Sequence, residues 1–213
     1  MRWMWVRHGQ TEENRAGRYL GHSDVPLNEH GCAQAEQVAR LLASERPSAL
    51  YTSDLLRCRQ TAERLAAVWG LEPRAVPALR ELSFGAWERL TYDELMARDG
   101  EHARRWYDNP FDCAPPGGET LAQLGERVDR WLMRLTKSVS MDDTVCLVTH
   151  GGVIRWFQAA WVENDPRRYW QVDGVGHGAV LVAEWDGRRW TASQIEDNPI
   201  ESKEKHVSRQ SDL

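Results

Sequence analysis

Two apolar runs in this chain end in the same way, and that pairing limits the folds open to it. Trp3-Met4-Trp5-Val6 runs into Arg7-His8-Gly9, and a second run over Thr144–Thr149 runs into His150-Gly151-Gly152. Short apolar stretches bounded by polar residues and glycine read as buried strands, and each is followed by a helix-forming stretch. Strand–helix alternation of this kind predicts a parallel sheet covered by helices. In such sheets ligands bind beyond the carboxyl ends of the strands, where helix N-termini offer free N–H groups and a positive dipole end. If the two strands are neighbours, His8 and His150 face one site. Taken singly, each histidine also reads as an ordinary polar strand-end residue; two of them, each followed by glycine, favour a site.

The rest of the pattern fits this frame. Thr11 can cap a short helix starting near Glu12, and Asn28 one running to about residue 43, with Ala35, Val38, Ala39 and Leu42 at helical spacing. Residues 49–52 form a second strand. Ser53 or Asp54 then caps a helix with the apolar face Leu55, Cys58, Ala62, Leu65 and Trp69, closed by Gly70. Residues 74–76 suit a third strand. Residues 87–135 are mostly helical, broken near 109–118 by Pro110, Pro115, Pro116, Gly117 and Gly118, and 152–161 form a later helix. Residues 179–195 alternate around Asp186-Gly187, a hairpin signal. The expectation is a three-layer α/β sandwich: a central, mostly parallel mixed sheet flanked by helices, with a helical lid at about 87–135. One domain would span 1–198, followed by a disordered polar tail at 199–213.

A net charge of -5 over 213 residues argues against a nucleic-acid or membrane surface. No apolar stretch approaches the roughly 18 residues of a membrane span, and the N-terminal run meets Arg7 and His8 too soon to suit a signal peptide. Cys32, Cys58, Cys113 and Cys146 form no C-x-x-C pair and read as buried free thiols. Together these predict a cytoplasmic protein. Among the 11 tryptophans, Trp3, Trp5, Trp69 and Trp161 lie in core-like patterns.

Charged residues near the strand ends sharpen the site. Arg57 falls in the first turn of the helix after Ser53-Asp54, where a cation opposes the helix dipole unless an anion shares that end; alternatively it pairs locally with Asp54 or Glu81. Arg7 is either salt-bridged or bound to an anion. Two guanidinium groups can grip phosphate oxygens in bidentate fashion. Glu81 follows the third strand and can reach the same edge, though alone it also reads as a solvated loop residue. His22 and His177, the latter in Gly174-Val175-Gly176-His177-Gly178, line a pocket rim or sit in plain turns.

These residues match a known family. Arg7-His8-Gly9 with Asn14, Gly21-His22-Ser23-Asp24-Val25-Pro26-Leu27, Gly31-Cys32-Ala33-Gln34-Ala35, the run from Ser53 to Ala62, Glu81 with Phe84-Gly85, and Thr149-His150-Gly151-Gly152 together resemble the histidine phosphatase superfamily, the phosphoglycerate-mutase-like fold. The resemblance spans roughly residues 5 to 160. It implies that His8 is the nucleophile of a phosphohistidine mechanism and Glu81 the general acid and then base. It implies a phosphate pocket of Arg7, Arg57 and His150, joined by Asn14, Gly21 and Gly151. No metal and no cofactor are implied, and the partner is a small-molecule phosphate ester.

Within the superfamily, 81–88 and Pro115-Pro116-Gly117-Gly118-Glu119-Thr120 are similar to the phosphatase branch, and the latter to a P-G-G-E-[ST] element of α-ribazole phosphatases in cobalamin assembly. That implies hydrolysis of α-ribazole 5′-phosphate. Alternatives are a broad-specificity phosphatase, a sugar-bisphosphatase or a phosphoglycerate mutase of the same superfamily, or an inert binding module. Phe84, Trp87, Tyr92, Trp106 and Tyr107 would either stack on a planar base or pack the lid onto the sheet. One departure is Arg89, where many relatives carry glycine after the glutamate.

Overall fold

The computed structural model describes residues 1–195; the expected tail at 199–213 lies outside the described residues. The chain runs β1 (Arg2–Arg7), α1 (Glu12–Arg15), α2 (Glu29–Leu41), β2 (Ala49–Thr52), α3 (Leu56–Trp69), β3 (Arg74–Ala75), α4 (Tyr92–Asp108), α5 (Leu121–Ser138), β4 (Thr144–Thr149), α6 (Gly151–Phe157), β5 (Val180–Trp185) and β6 (Trp190–Gln194).

The six strands form one sheet in the order β3-β2-β4-β1-β5-β6. β3, β2, β4 and β1 are parallel, and the β5–β6 hairpin adds two antiparallel strands beside β1. The expected mostly parallel mixed sheet between helical layers is therefore what the chain forms. Side-chain alternation decides which layer each strand residue meets. Met4, Val6, Leu50, Cys146 and Val148 pack with Val38 and Ala39 of α2 and Ala62 and Leu65 of α3. Trp3, Trp5, Val145 and Leu147 face the opposite layer, against Leu124, Val128, Leu132 and Phe157 of α5 and α6. Trp3 lies 4.4 Å from Trp190 and Trp5 4.6 Å from Phe157, ring centre to ring centre. Both tryptophans are fully buried, whereas Trp69 and Trp161 are only half-buried at the rim of their layers.

Local corrections have physical causes. The helix expected at 152–161 begins at Gly151 and loosens after Phe157 into a π turn at Gln158–Val162. α3 is capped neither by Ser53 nor by Asp54: Leu55 is its N-cap residue and makes no side-chain cap bond. Ser53 is held instead at the His150 ring, 3.0 Å from Nε2. Asp54 accepts both arms of the Arg80 guanidinium at 2.7 and 2.6 Å. The Leu56 N–H at this helix end donates to Asp24 Oδ1 at 2.6 Å, so a carboxylate from a distant loop serves there. Cys58 and Cys146 are buried, but Cys32 and Cys113 are half-buried; all four are free.

Candidate active site

Register brings the two histidine junctions together. β1 and β4 are adjacent and parallel, with Arg7 paired to Thr149, so the next residue of each strand is a histidine. The His8 N–H donates to the Thr149 carbonyl at 3.0 Å, and the two imidazole rings lie 5.0 Å apart. His8 is 3% exposed. Its Nδ1 is 2.7 Å from the Gly9 carbonyl. A carbonyl only accepts, so Nδ1 carries the proton and Nε2 keeps its lone pair. Arg57 Nε–H points at that lone pair from 3.3 Å. Burial first, then the charges of Arg57, His177 and Arg7, holds His8 well below the usual imidazole range.

Arg57 is completely buried in the first turn of α3. Its side chain pairs with neither Asp54 nor Glu81. It donates to the carbonyls of Gly21 at 2.7 Å and Ser23 at 2.9 Å. The loop offering those carbonyls is itself held by Glu88, whose two carboxylate oxygens accept the His22 and Ser23 N–H groups at 2.5 and 2.6 Å. Arg7, also buried, donates from Nη1 to the Val175 carbonyl at 2.8 Å, and its Nη2 is 3.2 Å from His177 Nε2. His150 is fully buried between Ser53 Oγ and Cys58 Sγ, the latter 3.3 Å from Nε2. Burial, followed by the Arg57 and His8 charges, lowers its pKa well below the ordinary value.

Glu81 is 7% exposed, not a solvated loop residue. Its Oε1 accepts the Leu82 N–H at 2.8 Å and its Oε2 accepts the Gly152 N–H at 2.9 Å, so one free amide of the α6 N-terminus is used by this carboxylate. The loop under it is pinned by α5. Arg127 donates to the carbonyls of Ala78, Arg80 and Glu81 at 2.8, 2.7 and 2.7 Å, and to both oxygens of Glu119 at 2.9 Å. Glu119 in turn accepts the Ser83 N–H at 3.0 Å.

The structure thus brings His8, Arg7, Arg57, His150 and Glu81 around one strand edge, with the Gly151 backbone close to Arg7. A Cβ added at Gly151 would lie 3.1 Å from the Arg7 guanidinium carbon. Gly21 enters through its carbonyl. The Asn14 amide oxygen accepts from the Thr11 N–H and hydroxyl at 3.0 and 2.9 Å, closing the capping box of α1; its Nδ2 takes no part in that cap. His22 donates from Nε2 to the Glu81 carbonyl at 3.0 Å. His177, which the sequence leaves between a rim and a turn, lies 5.1 Å from the His8 ring. Arg127 escapes sequence reasoning because a charged residue in a helical stretch looks like a solvated face, and Glu88 and Glu119 enter it only as members of family-like elements, without a role. Phe84, Trp87 and Trp106 are buried and pack the helical segment, while Tyr92 and Tyr107 are half-buried.

Chemically, two buried guanidinium cations and imidazoles held neutral share one strand edge, a donor set suited to a compact dianion. Among the described residues, no group of three or more His, Cys, Asp or Glu side chains is arranged to hold a metal ion, and no helix is long and apolar enough to cross a membrane.

Residues 4–198 match the sequence profile of the histidine phosphatase superfamily, branch 1. Phosphoserine phosphatase 1 of Hydrogenobacter thermophilus is 32% identical over 86% of this chain and 86% of its own. The adenosylcobalamin/α-ribazole phosphatase of Salmonella typhimurium is 34% identical over 72% of this chain and 76% of its own. The crystal structure of the α-ribazole phosphatase from Shigella flexneri superimposes with a TM-score of 0.85 at 27% identity, covering 92% of this chain and 96% of that one.

Proposed function

The chain belongs to branch 1 of the histidine phosphatase superfamily, and from that premise we propose that it hydrolyses small phosphomonoesters without a metal, through a phosphohistidine on His8. The observation that carries the reading is the bond from His8 Nδ1–H to the Gly9 carbonyl, which leaves Nε2 unprotonated beside Arg57. The phosphoryl group binds against Arg7, Arg57 and His150, whose donors match charge spread over its oxygens in the transition state. Nε2 attacks phosphorus; the N–P bond forms as the ester P–O bond breaks, and Glu81 delivers a proton to the departing oxygen. Water then attacks phosphorus and gives a proton to Glu81. The P–N bond breaks, releasing phosphate and returning neutral His8. The helix cap takes only the amide oxygen of Asn14, so its Nδ2 donor can join the phosphate grip.

The physiological ester is proposed more narrowly as α-ribazole 5′-phosphate, on the likeness to the Salmonella and Shigella enzymes. The P-G-G-E-T element adds little to that choice, because its Glu119 braces the Glu81 loop. The protein acts in the cytoplasm on this reading.

The test is turnover of p-nitrophenyl phosphate with and without EDTA, acid-quench capture of an acid-labile phosphoenzyme, and a panel including α-ribazole 5′-phosphate, phosphoserine and 3-phosphoglycerate. His8→Ala is expected to abolish both turnover and label. Near-normal turnover by that variant ends the nucleophile assignment, and loss of activity in EDTA with recovery on adding metal ends the metal-free one. Flat, low rates across the panel remove the narrow substrate.

A further inference from the structure

We infer that His177 is a positioning residue of this site: its neutral imidazole bridges the His8 backbone to the Arg7 guanidinium and sets the direction in which that guanidinium meets an anion. The inference rests on the proposed phosphate site, but not on the covalent step.

The loop Gly174–Gly178 approaches β1 from the β5 side, and the ladder fixes its register. The Arg7 N–H donates to the Ala179 carbonyl at 3.2 Å, and the Gly178 N–H reaches the carbonyls of Arg7 and His8 at 3.1 and 3.3 Å. His177 is thereby laid against the strand end that carries His8. Its Nδ1 is 3.2 Å from the His8 carbonyl. That oxygen has no proton to give, so Nδ1–H donates and Nε2 carries the lone pair. The Arg7 Nη2–H at 3.2 Å is a donor that matches it. The same loop supplies the Val175 carbonyl to Arg7 Nη1 at 2.8 Å. Both terminal nitrogens of the guanidinium therefore have a contact to one short segment, which fixes the plane of the fork. A planar donor pair binds two phosphate oxygens only if that plane is set in advance.

Burial first, then the charges of Arg7 from β1, Arg57 from α3 and His30 from α2, favour the neutral His177 ring, while the bond to the His8 carbonyl works the other way. A protonated Nε2 would become a donor facing the Arg7 donor, and the bridge would open. With its lone pair directed at Arg7, His177 is not placed as a second nucleophile.

The experiment compares wild type with His177→Ala, His177→Phe and His177→Asn. The first two remove both hydrogen bonds, the second while keeping an aromatic ring. Asparagine retains one donor and one acceptor. The readouts are the Kd of inorganic phosphate by calorimetry, kcat and KM for p-nitrophenyl phosphate, and the melting temperature. A hydrogen bond to a charged group suggests a loss of roughly tenfold in phosphate affinity for the Ala and Phe variants. KM should rise in step, while His177→Asn stays within about threefold of wild type. Unchanged phosphate affinity in folded His177→Ala and His177→Phe overturns the inference. So does an equal loss in His177→Asn at unchanged melting temperature. If wild type binds phosphate and loses it on His177→Ala, yet hydrolyses no ester, the proposed function fails and this inference stands. If wild type does not bind phosphate, both fail.

Discussion

The Gly152 amide donates to Glu81 Oε2 at 2.9 Å, and a Cβ on Gly152 would lie 2.1 Å from Glu81 Oε1. The glycine is thus both the partner of this carboxylate and the space it occupies. The obstructing atoms are both side-chain ends, Glu81 Oε1 and, at 2.9 Å, the hydroxyl of buried Tyr169, so the carboxylate must move and the tyrosine shift with it. Gly152→Ala is expected to lower kcat by about 10²–10⁴, the range for a misplaced acid–base group, with little change in melting temperature. Gly9→Ala is the contrast: its Cβ would meet the Gly31 carbonyl oxygen at 2.2 Å, backbone against backbone, so its main effect should be on stability. Equal kcat for wild type and Gly152→Ala would remove Glu81 from the chemistry.

Glu81→Gln should lose activity in the same range of about 10²–10⁴, and the loss should depend on the leaving group. Alkyl phosphates need a proton on the departing oxygen, whereas aryl phosphates leave well without one. Rates on the two classes, compared in wild type and variant, test this. A uniform loss would point to a binding role for Glu81.

Two buried imidazoles, His8 and His150, and half-buried His177 make stability depend on pH. His8, His150 and His177 are all held well below the usual imidazole range, each by burial first and then by neighbouring cations. The unfolded chain binds protons at these rings near pH 6.5, where the folded chain does not. Their contribution is therefore fully present above about pH 6.5 and is lost as pH falls toward the folded values. Each ring costs up to about 1.4 kcal/mol per pH unit in that window. Urea midpoints should fall from pH 7 to 5, and inorganic phosphate should offset part of the loss by favouring cationic rings. A flat profile would mean that the rings are protonated in the folded state.

The legible part of the site was the part carried by strand ends. His8 and His150 end apolar runs, and Arg57 stands where a cation is locally unfavourable, so their chemistry shows against the pattern. Glu81 was ambiguous because a carboxylate in a loop is ordinary; only the close approach of α6 makes it a buried group. His177 was ambiguous for a similar reason, since its place depends on which strand lies beside β1, and antiparallel β5 is set by long-range pairing. Asn14 reads two ways because its amide oxygen closes a helix cap while its Nδ2 remains a donor of the kind a phosphate oxygen accepts from. The tyrosines and tryptophans at 84–107 showed no sign of which ones the interior would take.

Arg127 links the helical segment to the acid. It holds three carbonyls of residues 78–81 and both oxygens of Glu119, with each side chain about one-fifth exposed. Arg127→Met should cost about 1–3 kcal/mol in stability and lower kcat, because the Glu81 loop loses its anchor. With Glu119→Gln, a double-mutant cycle should show coupling of about 0.5–3 kcal/mol. Additive effects would mean that the two residues brace the loop separately.

Arg89 tests whether the departure from glycine carries a cost. It is exposed, and its φ of 65° lies in the left-handed region, where a side chain costs roughly 1–2 kcal/mol. The backbone there is committed: the Arg89 N–H donates to the Tyr19 carbonyl at 2.7 Å, and the Arg89 carbonyl accepts from Arg18 at 2.5 Å. The conformation therefore persists whatever the residue. Arg89→Gly relieves the strain but gives the unfolded chain more freedom, worth about 0.5–1 kcal/mol against folding. The net expectation is a gain of up to about 1 kcal/mol for Arg89→Gly and none for Arg89→Ala, which keeps its Cβ. Urea midpoints of the two variants decide it. An equal change in both would assign the effect to the lost guanidinium rather than to the backbone.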